Sequence, residues 1–295
     1  MHADEVDIDE AQVCALVEAQ FPRWAGLPVR RVRSSGTDNA MFRLGAELCV
    51  RLPRRPGCVG QVEKDLRWLP RLAPFLPLAL PEPLQLGQPG GGYPFTWGVY
   101  RWLDGEESAF ELLADPVGDA RVLAGFLKAL QAIDATEAPR PGPRNFGRGV
   151  ELARRDGSVR KAIAALEDDG ETDTAAVSAS WRESLDAAQY AGEPVWIHGD
   201  LLPGNLLVTG GRLSAVIDCA GLVAGDPAGD LLPAWSLLRG ESREAFRQAT
   251  GVDEDTWLRG RGWALSIAVI GLPYYRDTNP GFVRLCRRIV AEVLG

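Results

Sequence analysis

VWIHGDLLPGNLLV, residues 195–208, is the most informative segment of this 295-residue sequence. Its apolar beginning is typical of a strand, its middle is a short polar loop, and its apolar end is typical of a second strand. Within the loop, His198, Asp200 and Asn205 follow the spacing His-x-Asp-x-x-x-x-Asn. Loops held by a rigid scaffold often carry reactive side chains, so this segment is the first candidate for a functional site.

A hairpin after this segment adds one more carboxylate. The strand that follows Asn205 is predicted to pair with the next strand through a turn at Gly210-Gly211. That next strand, with the apolar run AVI, ends at Asp218. We therefore expect Asp200, Asn205 and Asp218 to lie together at one edge of a sheet.

Two carboxylates and one amide in this arrangement point to phosphoryl transfer from a nucleotide. The transition state of that reaction is loose, so the protein mainly positions the reactants and neutralises charge. Asp200 fits the base that accepts the proton of the attacking hydroxyl. Asn205 and Asp218 fit ligands of Mg²⁺, which prefers oxygen donors. Each residue alone also fits a capped turn or a helix cap, but their combination favours the reaction site.

His198 is the only histidine after His2 in the sequence. An imidazole titrates near neutral pH, so His198 is an alternative general base. We favour a supporting role, in which His198 hydrogen-bonds the loop backbone or braces Asp218.

The rest of the chain divides into a strand-rich first part and a helix-rich second part. Hydrophobic periodicity predicts one helix at residues 61–72 and strands at residues 29–33, 40–44, 48–52, 84–87 and 95–102. It predicts helices in the second part at residues 119–133, 150–166, 175–188, 231–238, 243–249, 255–270 and 281–293. This order predicts an α+β fold of two lobes, a nucleotide-binding lobe at residues 1–101 and a C-terminal lobe at residues 102–295.

Composition disfavours several classes of protein. Hydrophobic residues make up 46% and charged residues 24% of the chain, as in soluble globular proteins. There is no apolar run of about 18 residues to span a membrane, and the acidic N-terminus lacks the features of a secretory signal, so we expect a cytoplasmic protein. The net charge of −8 disfavours a nucleic-acid binder. Five scattered cysteines without a CxxC pair favour reduced thiols over disulfides or a zinc site.

Three motifs after residue 197 are similar to those of the aminoglycoside phosphotransferase family of antibiotic kinases: HGDLLPGN, AVIDCAG and GDPAGDL. The resemblance implies a protein-kinase-like fold with a β-rich N-lobe and a helical C-lobe. It implies Asp200 as the catalytic base, and Asn205 and Asp218 as ligands of one or two Mg²⁺ ions. Asp226, in the Gly-Asp-Pro turn, would support the site from behind these ligands, or cap a helix.

The N-terminal part resembles the family more loosely, in residues that would contact the phosphates of the nucleotide. Backbone N–H groups of Ser35 and Gly36 lie where the family has a nucleotide-positioning loop, although an ordinary hairpin turn is the alternative. The family's lysine on the third strand is replaced by Arg51, which binds phosphate with a different geometry. Glu63 on the next helix is the expected ion-pair partner of Arg51; otherwise it is a solvated charge on the helix.

Residues 100–103 resemble the interlobe linker that hydrogen-bonds a purine through its backbone in this family. Arg101 and Leu103 would supply the backbone groups. Tyr100 falls where a bulky side chain can favour GTP over ATP. We expect ATP as the phosphate donor, with GTP as the alternative.

The acceptor of the phosphoryl group is less defined. The helical regions carry carboxylates interleaved with aromatic residues: Glu183, Asp186, Glu241, Glu244, Asp253, Glu254, Asp255 and Asp277, with Trp181, Trp235, Trp257, Trp263, Tyr274 and Tyr275. Carboxylates would pair with a polyamine sugar, and aromatic rings would stack on it or bind the apolar body of a macrolide. The alternative is that these acids are solvated and these tryptophans belong to the core. Asp230 follows the loop of residues 198–205, which we call the reaction loop, and it is the predicted substrate contact.

We therefore predict an ATP- or GTP-dependent O-phosphotransferase, acting on an aminoglycoside and so conferring antibiotic resistance. The alternatives are a kinase for a macrolide or for a metabolite alcohol such as choline, homoserine or a sugar. A catalytically inactive binding protein of the same fold is a further alternative, supported only by the missing lysine. The expected partners are the nucleotide and the acceptor, without nucleic acid or membrane; monomer and dimer both stay open.

Overall fold

The computed structural model describes residues 6–32, 38–142, 145, 147–167 and 172–295. The chain forms two compact units. Unit 1 comprises residues 1–105 with residues 215–217, and unit 2 comprises residues 106–214 and 218–295. Unit 1 is built around a five-stranded sheet and unit 2 consists mainly of helices, so the predicted α+β class is confirmed.

Unit 1 consists of an antiparallel sheet flanked by helices. Its elements in chain order are α1 Glu10–Gln20, β1 Val29–Arg31, β2 Asn39–Leu44, β3 Leu48–Pro53, α2 Gln61–Leu72, β4 Pro83–Gly87 and β5 Trp97–Arg101. The strand order is β1-β2-β3-β5-β4, and every neighbouring pair is antiparallel. Buried and partly exposed residues alternate along β2, which places Ala40, Phe42 and Leu44 in the core.

Helix α1 is not among the elements predicted from the sequence. Asp9 begins it by accepting a hydrogen bond from the backbone N–H of Gln12 at 2.8 Å. Its buried residues are Val13, Leu16 and Val17. This apolar stripe is too narrow for periodicity alone to reveal the helix, and packing against the core of unit 1 stabilises it.

The helix predicted at residues 61–72 is confirmed as α2. Val62, Leu69 and Leu72 are buried, as the pattern predicts, but so is Asp65. A buried carboxylate on the apolar side of a helix requires a cation or hydrogen-bond donors next to it. The neighbouring strands β3 and β5 supply both, as described below.

Unit 2 consists mainly of helices and contains two small sheets. Its elements are β6 Glu106–Glu107, α3 Pro116–Gln131, α4 Asp156–Leu166, α5 Thr174–Asp186, β7 Val195–Ile197, β8 Leu206–Thr209, β9 Arg212–Val216, β10 Val223–Gly225, α6 Pro233–Ser236, α7 Gly240–Thr250, α8 Glu254–Tyr275 and α9 Pro280–Leu294. β7 and β10 pair antiparallel, with Ile197 opposite Val223. β6, β8 and β9 form the other sheet, and the predicted turn at Gly210-Gly211 joins β8 to β9.

Helix α8 forms the centre of unit 2, and most of its residues are buried. Gly260 allows the helix to approach a neighbouring segment closely, because a Cβ at this position would lie 2.7 Å from the Cβ of Leu231. The residue before Leu231, Asp230, is thereby held close to α8 and beneath the reaction loop. Neither α8 nor another helix of the described residues has the length and apolar character of a membrane span.

Candidate active site

The loop between β7 and β8 is anchored from below by one carboxylate. Asp230 accepts hydrogen bonds from the backbone N–H of His198 at 2.8 Å and from that of Gly199 at 2.6 Å. His198 is buried, and its Nδ1 accepts a hydrogen bond from the backbone N–H of Asp200 at 3.3 Å. The backbone from His198 to Asp200 is therefore oriented before any ligand binds.

The predicted role of Asp230 as a substrate contact needs correction. Its side chain is fully buried, at 0% exposure, and both carboxylate oxygens accept backbone N–H groups. The pKa of Asp230 is raised to about 7, because burial, with a contribution from the charge of Asp200, outweighs the opposing effect of the N–H groups of Gly199 and His198. A side chain without solvent exposure has no free surface for a substrate to contact. Asp230 is the anchor of the loop.

Asp200 lies where a small molecule can reach it, since its side chain is 25% exposed. The Nδ2 of Asn205 donates to the backbone carbonyl of Asp200 at 2.8 Å and to its Oδ2 at 3.2 Å. Arg148 donates from Nη2 to the Oδ1 of Asp200 at 2.6 Å. A carboxylate has about four acceptor positions, so these contacts leave room for a substrate hydroxyl.

Asn205 and Asp218 have the donor atoms that Mg²⁺ prefers. The amide nitrogen of Asn205 donates both of its hydrogen bonds to Asp200. The amide oxygen of Asn205 is therefore the side-chain atom that can bind a metal ion. Asp218 is exposed and follows β9 with φ 57°, the one non-glycine residue with positive φ among the described residues. Aspartate tolerates this conformation better than most residues, and strained backbone is common at functional positions. Magnesium is usually bound through one or two carboxylates, with water and phosphate oxygens completing its shell.

Asp226 acts on the site through the backbone that leads to Asp230. Its Oδ1 accepts the N–H of Ala228 at 2.9 Å and so caps a short helical turn at residues 227–230. Its carboxylate also binds Arg259 of α8 through two bonds, at 2.7 Å from Nε and 3.2 Å from Nη2. Both partners are buried, so the pair fixes the turn and with it the position of Asp230.

Arg148 is the functional candidate that the sequence analysis missed. It lies between Gly147 and Gly149, which both have positive φ. Its stem packs against the loop so closely that a Cβ at Gly199 would lie 2.8 Å from its own Cβ. The only signal in the sequence was an arginine between two glycines. Its partner Asp200 lies 52 positions away, and the sequence alone does not indicate that the two residues meet.

In unit 1, Arg51 pairs with Asp65 and not with the predicted Glu63. The distance from Arg51 Nη1 to Asp65 Oδ2 is 3.3 Å, and both side chains are buried. Glu63 is exposed. Two positions along a helix differ by about 200° in direction, so Glu63 faces solvent when Asp65 faces the sheet. The predicted Arg51–Glu63 pair is therefore wrong.

The Asp65 carboxylate also receives bonds from the neighbouring strand and from its own helix. The hydroxyl of Tyr100 donates to Oδ2 at 2.9 Å, and Gln61 Nε2 donates to Oδ1 at 2.8 Å. Burial, together with the charge of Asp65, raises the pKa of Tyr100 well above its ordinary value. The tyrosine is therefore held in place by a bond inside unit 1.

The other predicted nucleotide contacts are placed as follows. The backbone N–H of Arg101 donates to the carbonyl of Glu82 at 2.9 Å, and its exposed side chain pairs with the Glu82 carboxylate. Leu103 is half-buried just after β5. Ser35 and Gly36 lie outside the described residues. The nucleotide contacts of all these residues stay predictions.

Most acids predicted to bind a polyamine acceptor are engaged within the protein. Glu183 pairs with Arg261, Glu254 pairs with Arg247, Glu244 accepts from Gln248, Asp253 caps α8, and Asp255 accepts the N–H of Ala188. Asp186, Glu241 and Asp277 are exposed. Trp181, Trp235, Trp257 and Trp263 are buried and belong to the core. Five of these eight acids therefore already have partners within the protein.

Comparisons with known proteins agree with this geometry. Residues 29–263 match the model of the phosphotransferase enzyme family, APH. No curated protein matches the sequence.

Solved structures of similar fold include the GDP complex of aminoglycoside 2'-phosphotransferase-IIIa, with a TM-score of 0.72 and 17% identity over 97% of this chain and 99% of that one. The ADP-bound aminoglycoside phosphotransferase APH(2'')-Ib has a TM-score of 0.59 and 16% identity over 97% and 98% of the two chains. The macrolide 2'-phosphotransferase MphH from Brachybacterium faecium has a TM-score of 0.61 and 22% identity over 97% of each chain. These likenesses confirm the predicted two-lobed, kinase-like fold.

Proposed function

Because the chain belongs to the phosphotransferase enzyme family, we propose that it transfers the γ-phosphoryl group of a nucleoside triphosphate to a hydroxyl group of a small molecule. The observation that carries this proposal is the reaction loop. Asp200 is partly exposed, Asn205 holds both its backbone and its carboxylate, and Asp230 anchors the loop beneath them. A preorganised carboxylate in a loop that the fold holds in place is what general-base catalysis requires.

In the proposed reaction, the acceptor hydroxyl donates its proton to a carboxylate oxygen of Asp200. Its oxygen forms a bond to the γ-phosphorus while the bond from that phosphorus to the β–γ bridging oxygen breaks, and the nucleoside diphosphate leaves. Asn205 and Asp218 would hold Mg²⁺ through their side-chain oxygens. Magnesium, when bound, neutralises charge on the phosphate groups.

The phosphate donor is proposed to be ATP, with GTP as the alternative. Solved structures of similar fold include one GDP complex and one ADP-bound enzyme. Arg51 would contact a phosphate, while backbone groups of Arg101 and Leu103 would contact the base. A nucleotide that binds only the folded protein must raise its melting temperature, so ATP and GTP, each with Mg²⁺, can be compared directly. If neither nucleotide changes the melting temperature, the proposal is wrong.

Candidate acceptors are an aminoglycoside, as first predicted, and a macrolide or metabolite alcohol. The enzymes of similar fold include an aminoglycoside phosphotransferase and a macrolide phosphotransferase. A panel containing each acceptor type, with release of nucleoside diphosphate as the readout, identifies the class. An inactive binding protein is the remaining alternative, and it would show nucleotide binding without turnover.

The Asp200→Asn substitution tests the proposed base. Asparagine keeps the shape of the side chain but cannot accept the proton, so turnover should fall by about 100- to 10,000-fold. Nucleotide binding should stay within a few-fold of wild type. Asp7→Asn is the matched control, because Asp7 is exposed and far along the chain from the loop. Turnover of the Asp200→Asn protein at the wild-type rate would exclude Asp200 as the base.

A further inference from the structure

The turn that carries Arg148 is held in shape by a buried asparagine. Asn145 is 2% exposed, and its side chain accepts the backbone N–H of Gly142 at 2.8 Å and donates to the carbonyl of Arg140 at 2.9 Å. Its backbone carbonyl accepts the N–H of Arg148 at 2.9 Å. Side-chain bonds to nearby backbone groups replace the bonds of a helix or strand in such turns, so the position of Arg148 is fixed.

The same turn is attached to the strands that lead into the reaction loop. The carbonyl of Pro139 accepts the backbone N–H of Ala224 in β10 at 2.9 Å. Gly149 packs against β10 so closely that a Cβ there would lie 2.9 Å from the side chain of Val223. Because β10 pairs with β7, and β7 ends at Ile197 where the reaction loop begins, the turn and the loop share one scaffold.

The stem of Arg148 fills a slot beside the reaction loop. A Cβ at Gly199 would lie 2.8 Å from the Cβ of Arg148, and a Cβ at Gly221 would lie 3.5 Å from its Cγ. The absence of side chains at these two glycines therefore leaves room for the arginine to reach Asp200. A closely packed stem has few alternative rotamers, so the guanidinium stays at the carboxylate.

Both oxygens of the Asp200 carboxylate are held by hydrogen bonds. Nη2 of Arg148 donates to Oδ1 at 2.6 Å, and Nδ2 of Asn205 donates to Oδ2 at 3.2 Å. The bond from Arg148 is the shorter one and is charge-assisted, so it restrains rotation of the carboxylate more strongly than the bond from Asn205 does. Each carboxylate oxygen has a second lone pair, which an acceptor hydroxyl can still use.

Stability alone does not account for this construction. The side chains of Arg148 and Asp200 are 17% and 25% exposed, and ion pairs in contact with water contribute little to stability. The buried asparagine and the flanking glycines nevertheless place one guanidinium at the carboxylate that reacts in the proposed function.

We propose that Arg148 is a positioning residue for the phosphoryl transfer. By holding Oδ1, it keeps the Asp200 carboxylate in one orientation while the acceptor hydroxyl binds and gives up its proton. The inference rests on the proposed function, because the role of Arg148 is defined by the reaction of Asp200. Orientation matters for the rate, since a misplacement of about 1 Å costs about 100-fold.

Arg148→Met tests the inference, since methionine fills the slot with a flexible stem and carries no guanidinium. Phosphate release from ATP and from GTP is measured with Mg²⁺ and with water as the acceptor, and then with kanamycin and erythromycin added as acceptor probes. We expect kcat to fall by about 10- to 100-fold and the KM for the nucleotide to stay within about twofold, because Arg148 acts through Asp200. Arg148→Lys keeps the charge without the planar fork and should recover part of the loss.

Chemical rescue separates the missing guanidinium from damage to the fold. Arg148→Ala removes the atoms beyond Cβ, which are those of ethylguanidinium, and leaves the slot empty. Adding ethylguanidinium should therefore raise the kcat of Arg148→Ala by at least about tenfold and in a saturable way. Arg160→Ala is the matched control, since Arg160 is an exposed arginine of α4 that pairs with Asp156, and it should keep wild-type kcat with and without ethylguanidinium.

A double substitution shows whether Arg148 acts through Asp200. Once Asp200→Asn has removed the base, the orientation of that side chain no longer affects proton transfer. Adding Arg148→Met to Asp200→Asn should therefore lower kcat by less than about threefold.

Four results would overturn the inference. They are wild-type kcat in Arg148→Met, a rise in KM as large as the fall in kcat, a loss in the double variant as large as that in Arg148→Met alone, and a folded Arg148→Ala that does not respond to ethylguanidinium. Arg148→Met and the double variant decide alone if Arg148→Ala does not fold. Failure of the proposed function is distinct from these results, because Asp200→Asn itself would then release phosphate at the wild-type rate.

Discussion

Replacing Asp230 by asparagine tests whether a buried carboxyl group holds the reaction loop. Its carboxylate accepts the N–H of His198 at 2.8 Å and that of Gly199 at 2.6 Å. Asparagine keeps one acceptor oxygen but turns an NH₂ group toward the other N–H. Because one buried donor then loses its acceptor, we expect the free energy of unfolding at about pH 8 to fall by about 1–3 kcal/mol.

The same substitution removes a titrating group, which predicts a dependence on pH. Burial raises the pKa of Asp230 to about 7 in the folded protein, above its usual 3.8. An acid with a raised pKa in the folded state stabilises the fold while protonated, and this contribution is lost as the pH rises through that pKa. Between about pH 8 and pH 6, the wild type should therefore gain about 1.4 kcal/mol relative to Asp230→Asn.

Urea unfolding of both proteins at about pH 6 and pH 8 measures the two effects together. Asp7→Asn serves as the control, since Asp7 is exposed and its removal should leave stability equal to wild type at both pH values. Turnover of Asp230→Asn should fall as well, because a displacement of the loop by about 1 Å costs about 100-fold in rate. A stability difference between wild type and Asp230→Asn that is the same at both pH values would refute the reasoning.

Two further predictions concern burial and backbone geometry. Asp65→Ala removes the buried carboxylate that pairs with the Arg51 guanidinium, so the free energy of unfolding should fall by about 3–5 kcal/mol in urea unfolding. Glu63→Gln should change it by less than about 0.5 kcal/mol, and equal effects of the two substitutions would contradict the pairing described above. Gly199→Ala introduces a Cβ at φ 78° and 2.8 Å from a neighbouring side chain, so turnover should fall by about 100-fold. Gly210 also has positive φ, but a Cβ added there would meet no atom within 4 Å, so Gly210→Ala should keep wild-type turnover. An equal loss of turnover in Gly210→Ala would show that the backbone conformation alone is responsible.

Much of the fold could be predicted because its signals are local. The helix at residues 61–72 and the hairpin turning at Gly210-Gly211 follow from periodicity and turn residues within a dozen positions. The narrow stripe of α1 gave no such signal, and its helical state depends on packing against the core of unit 1. Local pattern therefore predicts strongly periodic elements and misses those that tertiary contacts stabilise.

The candidate site divides in the same way. Asp200 and Asn205 are five positions apart in one loop, so their contact could be expected from spacing alone. Arg148 contacts Asp200 although the two are 52 positions apart, and no residue near Arg148 in the sequence predicts this contact. Arg51 pairs with Asp65 and not with the predicted Glu63, because packing determines which side of helix α2 faces the sheet.

The sequence by itself predicted most of the strands and helices, the spacing of the loop residues and the class of reaction they favour. These depend on backbone geometry over short distances, which the residues present in a segment largely dictate. Only the tertiary structure decided that Asp230 is a buried anchor and that Arg148 pairs with Asp200 of the reaction loop. Burial and electrostatic environment are properties of how distant segments pack, so the charge that an acceptor meets at Asp200 cannot be read from the loop that contains it.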